Sequence, residues 1–209
     1  NSFPVEIAEE VFYCGYHSEK SFGATSYFIQ RPEGNILIDS PKFNPRLVKR
    51  LETLGGISHM LLTHIDDVAD HVKFQSHFGC NRFIHKEDYR SNQGNIEIVL
   101  DSYDEYELAK DIIICPVPGH TKGHIVILYK NKFLFTGDHL AWSDRLKQLY
   151  AFRNACWYSW KKQIESMTKL LNYSFEWVLP GHGRRFQADR KTMHFELEKC
   201  VQWMKALEV

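Results

Sequence analysis

The chain has 209 residues, 44% of them hydrophobic and 25% charged, which is ordinary for a globular protein. Lysine plus arginine and aspartate plus glutamate number 26 each, so the formal net charge is zero. This balance argues against a nucleic-acid-binding protein, which needs a basic excess or patch. No apolar stretch reaches the roughly 20 residues of a membrane-spanning helix. We expect a single domain over residues 1–209, with neither nucleic acid nor membrane as a partner.

The cysteines and the first residues bear on the cellular compartment. No signal-peptide pattern opens the chain. The five cysteines are scattered and form no Cys-x-x-Cys pair, which is typical of free thiols in a reducing compartment. We therefore expect a cytoplasmic protein. Because the first residue is Asn1 rather than Met, an organelle stroma after removal of a targeting segment is the alternative.

Short apolar segments and turn signals alternate in the first half of the chain. The strands predicted there cover residues 11–14, 24–30, 35–39, 57–63 and 81–85. Residues 44–56 predict an amphipathic helix that ends at a Gly-Gly pair. A second helix is predicted to begin close to Asp66 or Asp67 and to end at Gly79.

The second half continues with more strands and two longer helices. The predicted strands are a pair near 96–107, then 111–118, 124–130, 132–138 and 175–181. Helices are predicted over residues 157–172 and 188–207, and the last of them, with Trp203 and Met204, is compatible with a homodimer. Strands dominate, with helices between some of them, so the fold class is α+β or a layered αββα arrangement.

Five histidine and aspartate residues stand where predicted strands end: Asp39, His64, His120, Asp138 and His182. Any one of them has an ordinary reading as a turn or loop residue. Five in succession indicate that a rigid sheet delivers polar side chains to a shared edge. Histidine and carboxylate together are the ligands of Zn, Fe or Mn. The sequence therefore predicts a metal site.

The order of the motifs ILID, LTHxD, DH, PGHTxGH, FTGDHL and VLPGHG resembles the metallo-β-lactamase superfamily. The resemblance extends from Asp39 to His182. It implies a four-layer αββα fold, with two mixed β-sheets, helices outside, and a dinuclear metal site. It also implies His120 and His182 as metal ligands and Asp138 as the bridging carboxylate. Asp39 would support the site through hydrogen bonds without being a ligand, and His64 matches the first histidine of the family's H-x-H-x-D-H motif.

This motif departs from the family pattern after His64. Val68 and Ala69 occupy the positions of the family's Asp-His pair, and that pair arrives two residues later as Asp70 and His71. Asp66 occupies the position of the second histidine. Asp66 or Asp67 has an alternative role as a helix N-cap.

A helix that starts at Asp67 would place Asp67, Asp70 and His71 on one face and absorb this shift. The expected ligands are then His64, Asp66, Asp70, His71, His120, Asp138 and His182, with Asp67 as the alternative to Asp70. If Asp70 and His71 do not reach, one metal held by His64, His120 and Asp138 remains.

The predicted cofactors are two divalent metal ions, Zn or Fe, with Mn as a further alternative. The expected function is hydrolysis of a small ester, thioester or lactone by a hydroxide that the metals activate, with Asp138 and Asp70 as the catalytic carboxylates. An iron-dependent oxidoreductase, of the persulfide dioxygenase or diiron type, and a metal-binding protein with a degraded site are the alternatives.

Other residues near these motifs are candidates for supporting or substrate-binding roles. His124 and His139 stand beside predicted ligands and are candidates for hydrogen bonding to them. Arg153 and Tyr158, in the aromatic segment after Asp138, are candidates for substrate contact. Core packing is the expected role of Trp157 and Trp160.

Overall fold

A computed structural model describes residues 3–91 and 94–208 of the chain. They form two compact units, which divide between residues 100 and 101. The single domain over residues 1–209 stays a prediction. Among the described residues, no helix combines the length and the apolar character that crossing a membrane requires.

The first unit is built on a mixed sheet with the strand order β1-β2-β3-β4-β5-β6-β7. Its described strands are β1 Val5–Ala8, β2 Val11–Tyr13, β3 Tyr27–Ile29, β4 Ile36–Ile38, β5 His59–Leu61, β6 Asn81–His85 and β7 Ile98–Leu100. Strands β1 to β4 pair antiparallel, whereas β4 to β7 pair parallel. The carboxyl ends of β4, β5 and β6 therefore lie at one edge of the sheet.

Two helices belong to this unit, α1 Pro45–Thr53 and α2 His71–Phe78. Asn44 caps α1 by accepting the Arg46 N–H, and Pro45 occupies the first helical position, where no hydrogen bond is lost. Leu47 and Leu51 of α1 are buried in a core cluster that includes Phe28 and Leu37 of the sheet.

The second unit is built on a mixed sheet with the strand order β15-β14-β11-β10-β9-β8 and a separate hairpin of β12 and β13. The described strands are β8 Tyr106–Ala109, β9 Ile112–Pro116, β10 Ile125–Tyr129, β11 Phe133–Gly137, β12 Ala141–Ser143, β13 Gln148–Tyr150, β14 Trp177–Pro180 and β15 Phe186–Gln187. β11 and β14 are parallel, and β10 lies antiparallel between β9 and β11. The ends of β9, β11 and β14 therefore share one edge.

Helices α3 Trp160–Lys169 and α4 Arg190–Ala206 complete the second unit. Ile164 and Met167 of α3 share a core cluster with Leu197 and Val201 of α4. The same cluster contains Val126 and other buried residues of the sheet. This packing holds the helices on the scaffold that carries the strand ends.

Candidate metal site

In the first unit, His64 follows β5, and a chain of hydrogen bonds fixes its ring. Asp39, just after β4, accepts the Thr63 N–H at 2.7 Å and the Thr63 hydroxyl at 2.9 Å. Because the hydroxyl donates its hydrogen to Asp39, its oxygen accepts from His64 Nδ1, which lies 2.9 Å away. The His64 hydrogen is thus on Nδ1, and Nε2 carries the lone pair that a metal ligand needs.

Asp39 is held for this role by its backbone as well as by its side chain. Its φ of +56° lies in the left-handed region, which aspartate tolerates better than most residues. Its N–H donates to Leu61 O at 3.0 Å. This geometry agrees with the supporting role that the resemblance implies. Thr63 was not predicted as a site residue, although it is the last residue of the predicted strand 57–63 and directly precedes His64.

Asp66 and Asp67 lie in a short 3₁₀ helix, Ile65–Asp67. The Asp67 carboxylate is fully buried, with Oδ2 3.9 Å from His64 Nδ1. The Asp66 carboxylate is about one-third exposed, with Oδ2 4.0 Å from His64 Nε2. Buried carboxylates in proteins are paired and hydrogen-bonded or coordinate a metal ion. Its burial close to His64 makes Asp67 a stronger candidate ligand than its spacing in the sequence indicated.

The predicted start of the second helix is wrong. Helix α2 begins at His71, with Asp70 as its N-cap residue, so neither Asp66 nor Asp67 caps it. The 3₁₀ turn ends at Asp67, and Ala69 adopts a positive φ of 33°, which interrupts the helical backbone before Asp70. The helical face proposed for Asp67, Asp70 and His71 does not form.

Asp70 is engaged by cations and a backbone amide. Oδ1 lies 2.8 Å from Lys20 Nζ and 3.3 Å from Lys73 Nζ, and Oδ2 accepts the Phe43 N–H at 3.0 Å. Burial alone would raise the pKa of Asp70, but these hydrogen bonds outweigh it and lower the pKa to about 2. Within residues 3–91 and 94–208, Asp70 belongs to no group of three potential metal ligands.

The side chain of His71 accepts a hydrogen bond from Arg82. Arg82 Nη1 lies 3.2 Å from His71 Nδ1, and a guanidinium can only donate, so Nδ1 is the acceptor. The neutral ring then carries its hydrogen on Nε2, the tautomer opposite to that of His64. Burial and the Arg82 charge lower the pKa of His71 to about 4. No group of three potential ligands among the described residues contains His71.

In the second unit, one carboxylate faces two histidines. Asp138 follows β11, with Oδ2 3.7 Å from His120 Nε2 and Oδ1 2.7 Å from His182 Nδ1. When Asp138 is ionised, His182 Nδ1 donates to it and Nε2 keeps the lone pair. The shared strand edge brings these three side chains together, as the sequence predicted from strand ends. A mixed imidazole and carboxylate set fits Zn or Fe.

The backbone around His120 is clamped by residues 156–159. His120 O accepts the N–H groups of Trp157 at 2.8 Å and Tyr158 at 3.2 Å. Gly119 has no room for a side chain, since a Cβ there would lie 2.4 Å from Gln163 Cβ and 2.5 Å from Gln163 Cα. The loop before His120 therefore packs directly on α3, which fixes where His120 stands.

His124 and His139 are both fully buried. His124 Nε2 accepts the Asp138 N–H at 3.2 Å, so His124 positions the backbone of Asp138. His139 O accepts from Gln163 Nε2 at 3.1 Å. Burial, with a smaller effect of His120, lowers the pKa of His139 to about 3. His124 thus contacts the backbone of Asp138, and His139 is a neutral buried ring. A supporting role for either histidine stays a prediction.

The residues of the aromatic segment after Asp138 lie in different environments. Arg153 places its guanidinium 4.9 Å from the centre of the buried Trp160 ring, which is a cation–π contact. Trp157 is 67% exposed, so the expectation of core packing is wrong for it, and its ring centre lies 6.3 Å from that of His120. Tyr158 is 46% exposed. Trp157 therefore presents an aromatic face beside a candidate ligand.

Comparison with known proteins gave a family and a set of similar folds. A family model described as the metallo-β-lactamase superfamily matches residues 21–182. A structure of VMB-1 at pH 5.5 is 18% identical, with 98% of this chain and 97% of that chain covered and a TM-score of 0.73. The mono-zinc form of the metallo-β-lactamase FIM-1 from Pseudomonas aeruginosa is 17% identical, with coverages of 95% and 93% and a TM-score of 0.69.

An archaeal metallo-β-lactamase superfamily protein, ST1585 from Sulfolobus tokodaii, has 15% identity and a TM-score of 0.61, with 92% of this chain and 86% of that chain covered. A comparison with curated protein sequences gave no match. At these identities the solved structures show the fold. They confirm the predicted α+β class with two mixed β-sheets and helices.

Proposed function

Because this chain belongs to the metallo-β-lactamase superfamily, we propose that it is a metal-dependent hydrolase of a small ester, thioester or lactone. The superfamily includes hydrolases, and a mono-zinc structure is known for FIM-1. The observation that carries the proposal is the Asp138 carboxylate facing His120 Nε2 at 3.7 Å and His182 Nδ1 at 2.7 Å.

The ligands that we propose differ in one respect from those expected from spacing. In the first unit, His64 remains a proposed ligand, Asp67 takes the place of the predicted Asp70 and His71, and Asp66 remains a further carboxylate near His64. The reason is physical: the Asp70 oxygens accept from two lysines and an amide, and His71 carries a hydrogen on Nε2. In the second unit, the proposed ligands are His120, Asp138 and His182.

When bound, Zn or Fe would activate water near neutral pH and polarise the carbonyl under attack. The chain supplies orientation. Asp39 and Thr63 keep the Nε2 lone pair of His64 available, and His124 holds the Asp138 backbone through a 3.2 Å hydrogen bond. The exposed Trp157 offers an apolar surface beside His120 on which a substrate body packs.

The test is elemental analysis of protein purified without added metal, together with turnover of p-nitrophenyl esters and thioesters. We expect bound Zn or Fe and measurable hydrolysis. His120→Ala should lower both metal content and turnover at least tenfold. His194→Ala is the matched control, because His194 lies on the exposed surface of α4 and pairs with Glu198.

Protein without bound metal, or His120→Ala with full metal and turnover, would refute the proposal. Bound iron with oxygen uptake in the presence of a persulfide, and no ester turnover, would favour the oxidoreductase alternative instead. That alternative is kept because Asp66, a hard ligand, replaces a histidine and lies 4.0 Å from His64 Nε2.

A further inference from the structure

A cleft of about 450 Å³ lies in the second unit, between α3 and the loop that follows β9. Pro116 and Pro118 form one side of it, and Tyr103 and Tyr158 supply aromatic rings. Sites for small molecules in proteins measure about 300–1,000 Å³ and are lined largely by apolar and aromatic groups. The cleft therefore has the size and the apolar lining of a small-molecule site.

Hydrogen bonds tie the walls of this cleft to one another. Ser166 of α3 donates to Pro118 O at 2.8 Å, and the Tyr103 hydroxyl donates to Lys122 O at 3.4 Å. The Tyr158 N–H donates to His120 O at 3.2 Å. Since each bond joins two different segments around the cleft, the chain itself holds the walls of the cleft in place.

The charge of the lining is positive. The lining contains three lysines, Lys122, Lys162 and Lys169, and one acidic residue, Glu165, so its formal charge is plus two. Lys162, Glu165 and Lys169 follow one another at spacings of three and four, so α3 presents them on one face. Lys162 pairs with Glu165 at 2.7 Å and Lys169 with Glu105 at 3.9 Å, so a formal charge of plus one remains when Glu105 is counted with the lining. A cationic rim over apolar walls complements an anion with an apolar body.

We propose that this cleft binds a small organic anion with an aromatic or aliphatic body, and that this anion is the acidic end of the substrate. The loop that lines the cleft also carries His120, which lies two residues from Pro118 and two from Lys122. In this proposal, the remaining part of a substrate anchored by its anion in the cleft extends along this loop towards His120. Resting on the proposed function, this narrows the substrate to an ester, thioester or lactone that bears a second, anionic group.

The first test measures binding without turnover. Anilinonaphthalene sulfonate is an anionic aromatic probe, and N-phenylnaphthylamine is a neutral probe of the same ring system. We expect the double variant Lys122→Gln/Lys169→Gln to weaken sulfonate binding about tenfold and to leave binding of the amine unchanged. Tyr103→Ala should weaken binding of both probes.

The matched control is Lys199→Gln/Lys205→Gln on α4, which lowers the net charge equally but away from the cleft. Its affinity for the sulfonate should stay within twofold of the unsubstituted protein. Equal weakening in both double variants, or in neither, would overturn the proposal, as would absence of sulfonate binding to the unsubstituted protein.

The second test separates this proposal from the proposed function. The p-nitrophenyl monoester of a dicarboxylic acid is compared with a neutral p-nitrophenyl ester of similar length. Lys122→Gln/Lys169→Gln should raise KM about tenfold for the anionic ester only, with kcat unchanged. Selective binding of the sulfonate without hydrolysis of either ester would refute the proposed hydrolase function and support anion binding by the cleft. Hydrolysis with the same KM for both proteins would refute the cleft alone.

Discussion

At the scale of single residues, neighbouring groups decide which histidines can bind a metal ion. His64 and His71 are both buried, and both stand in the segment that resembles the family motif. Thr63 accepts from Nδ1 of His64, whereas Arg82 donates to Nδ1 of His71. Opposite tautomers follow, and only His64 presents Nε2 as an acceptor. Spacing alone carries no information of this kind.

The role of Thr63 can be tested by removing its hydroxyl. Thr63→Val keeps the shape of the side chain and breaks the chain from Asp39 to His64, so the ring loses the group that fixes its tautomer. We expect metal affinity to fall about tenfold or more, measured by competition with a chromogenic chelator. Thr63→Ser keeps the hydroxyl and should bind metal nearly as tightly as the unsubstituted protein. Equal affinities for the Val and Ser variants would contradict this role.

The two carboxylates Asp67 and Asp70 should separate metal binding from stability. Asp67→Asn should lose the metal, whereas Asp70→Asn should keep it. Asp70→Asn should lower the free energy of unfolding at neutral pH by only about 1 kcal/mol, because water screens its ion pairs with the exposed lysines. The folded-state pKa of Asp70 is about 2, below its ordinary value of 3.8. The contribution is therefore present above about pH 4 and disappears as the pH falls towards 2.

Urea unfolding of the unsubstituted protein and of Asp70→Asn, at neutral pH and at stepwise lower pH, measures this difference. The two unfolding free energies should converge as the solution is acidified. If Asp70→Asn instead removes the metal and leaves stability unchanged at neutral pH, Asp70 is a ligand as the motif spacing suggested.

At the scale of secondary-structure elements, the ends of the strands position the candidate ligands. The predicted start of α2 was wrong. The apolar runs predicted β9, β10, β11 and β14, because their burial leaves a continuous hydrophobic signal. The sequence did not reveal β1, β12, β13 or β15, which are short and partly exposed, so that the alternation typical of strands is too brief to read. The start of α2 was missed because the acidic residues indicated caps while Ala69 takes a positive φ.

The candidate site was predictable to the same extent as the strands. His120, Asp138 and His182 could be predicted as ligands because each follows a strong apolar run, and that role stays a prediction. Lys20 and Arg82, which take Asp70 and His71 as partners, come from distant parts of the chain. No local pattern announces such pairings, since they depend on how the elements pack.

Gly119 is the point where a loop and a helix touch without space between them. Gly119→Ala should lower the free energy of unfolding by about 1–3 kcal/mol and displace the loop that carries His120. Thermal unfolding and metal content measure the two effects. Adding Gln163→Ala should not restore either, because the clash involves Cα and Cβ of residue 163, which alanine retains. Full recovery in the double variant would contradict the predicted contact.

At the scale of the whole molecule, bound metal should stabilise the fold. The metal binds the folded state through side chains that are distant in the sequence, so removing the metal withdraws a binding free energy from the folded state. At a metal concentration about 100-fold above Kd this amounts to about 2.7 kcal/mol. Dialysis against a chelator should lower Tm, and restoring zinc or iron should raise it again. The metal-free His120→Ala variant, insensitive to the chelator, is the control, and an unchanged Tm in the unsubstituted protein would contradict the prediction.

The cysteines of the chain allow a spectroscopic label to be attached at one position. All five are free thiols, and four of them are buried, with the pKa of Cys14 and Cys200 raised to about 12 by burial. Cys156 alone is half-buried, and its Sγ donates to Gly119 O at 3.2 Å. A thiol-directed fluorophore or nitroxide should therefore attach at this single position in the native protein. Attached one residue before Trp157, it would report on the segment that holds His120, with no need to engineer a cysteine.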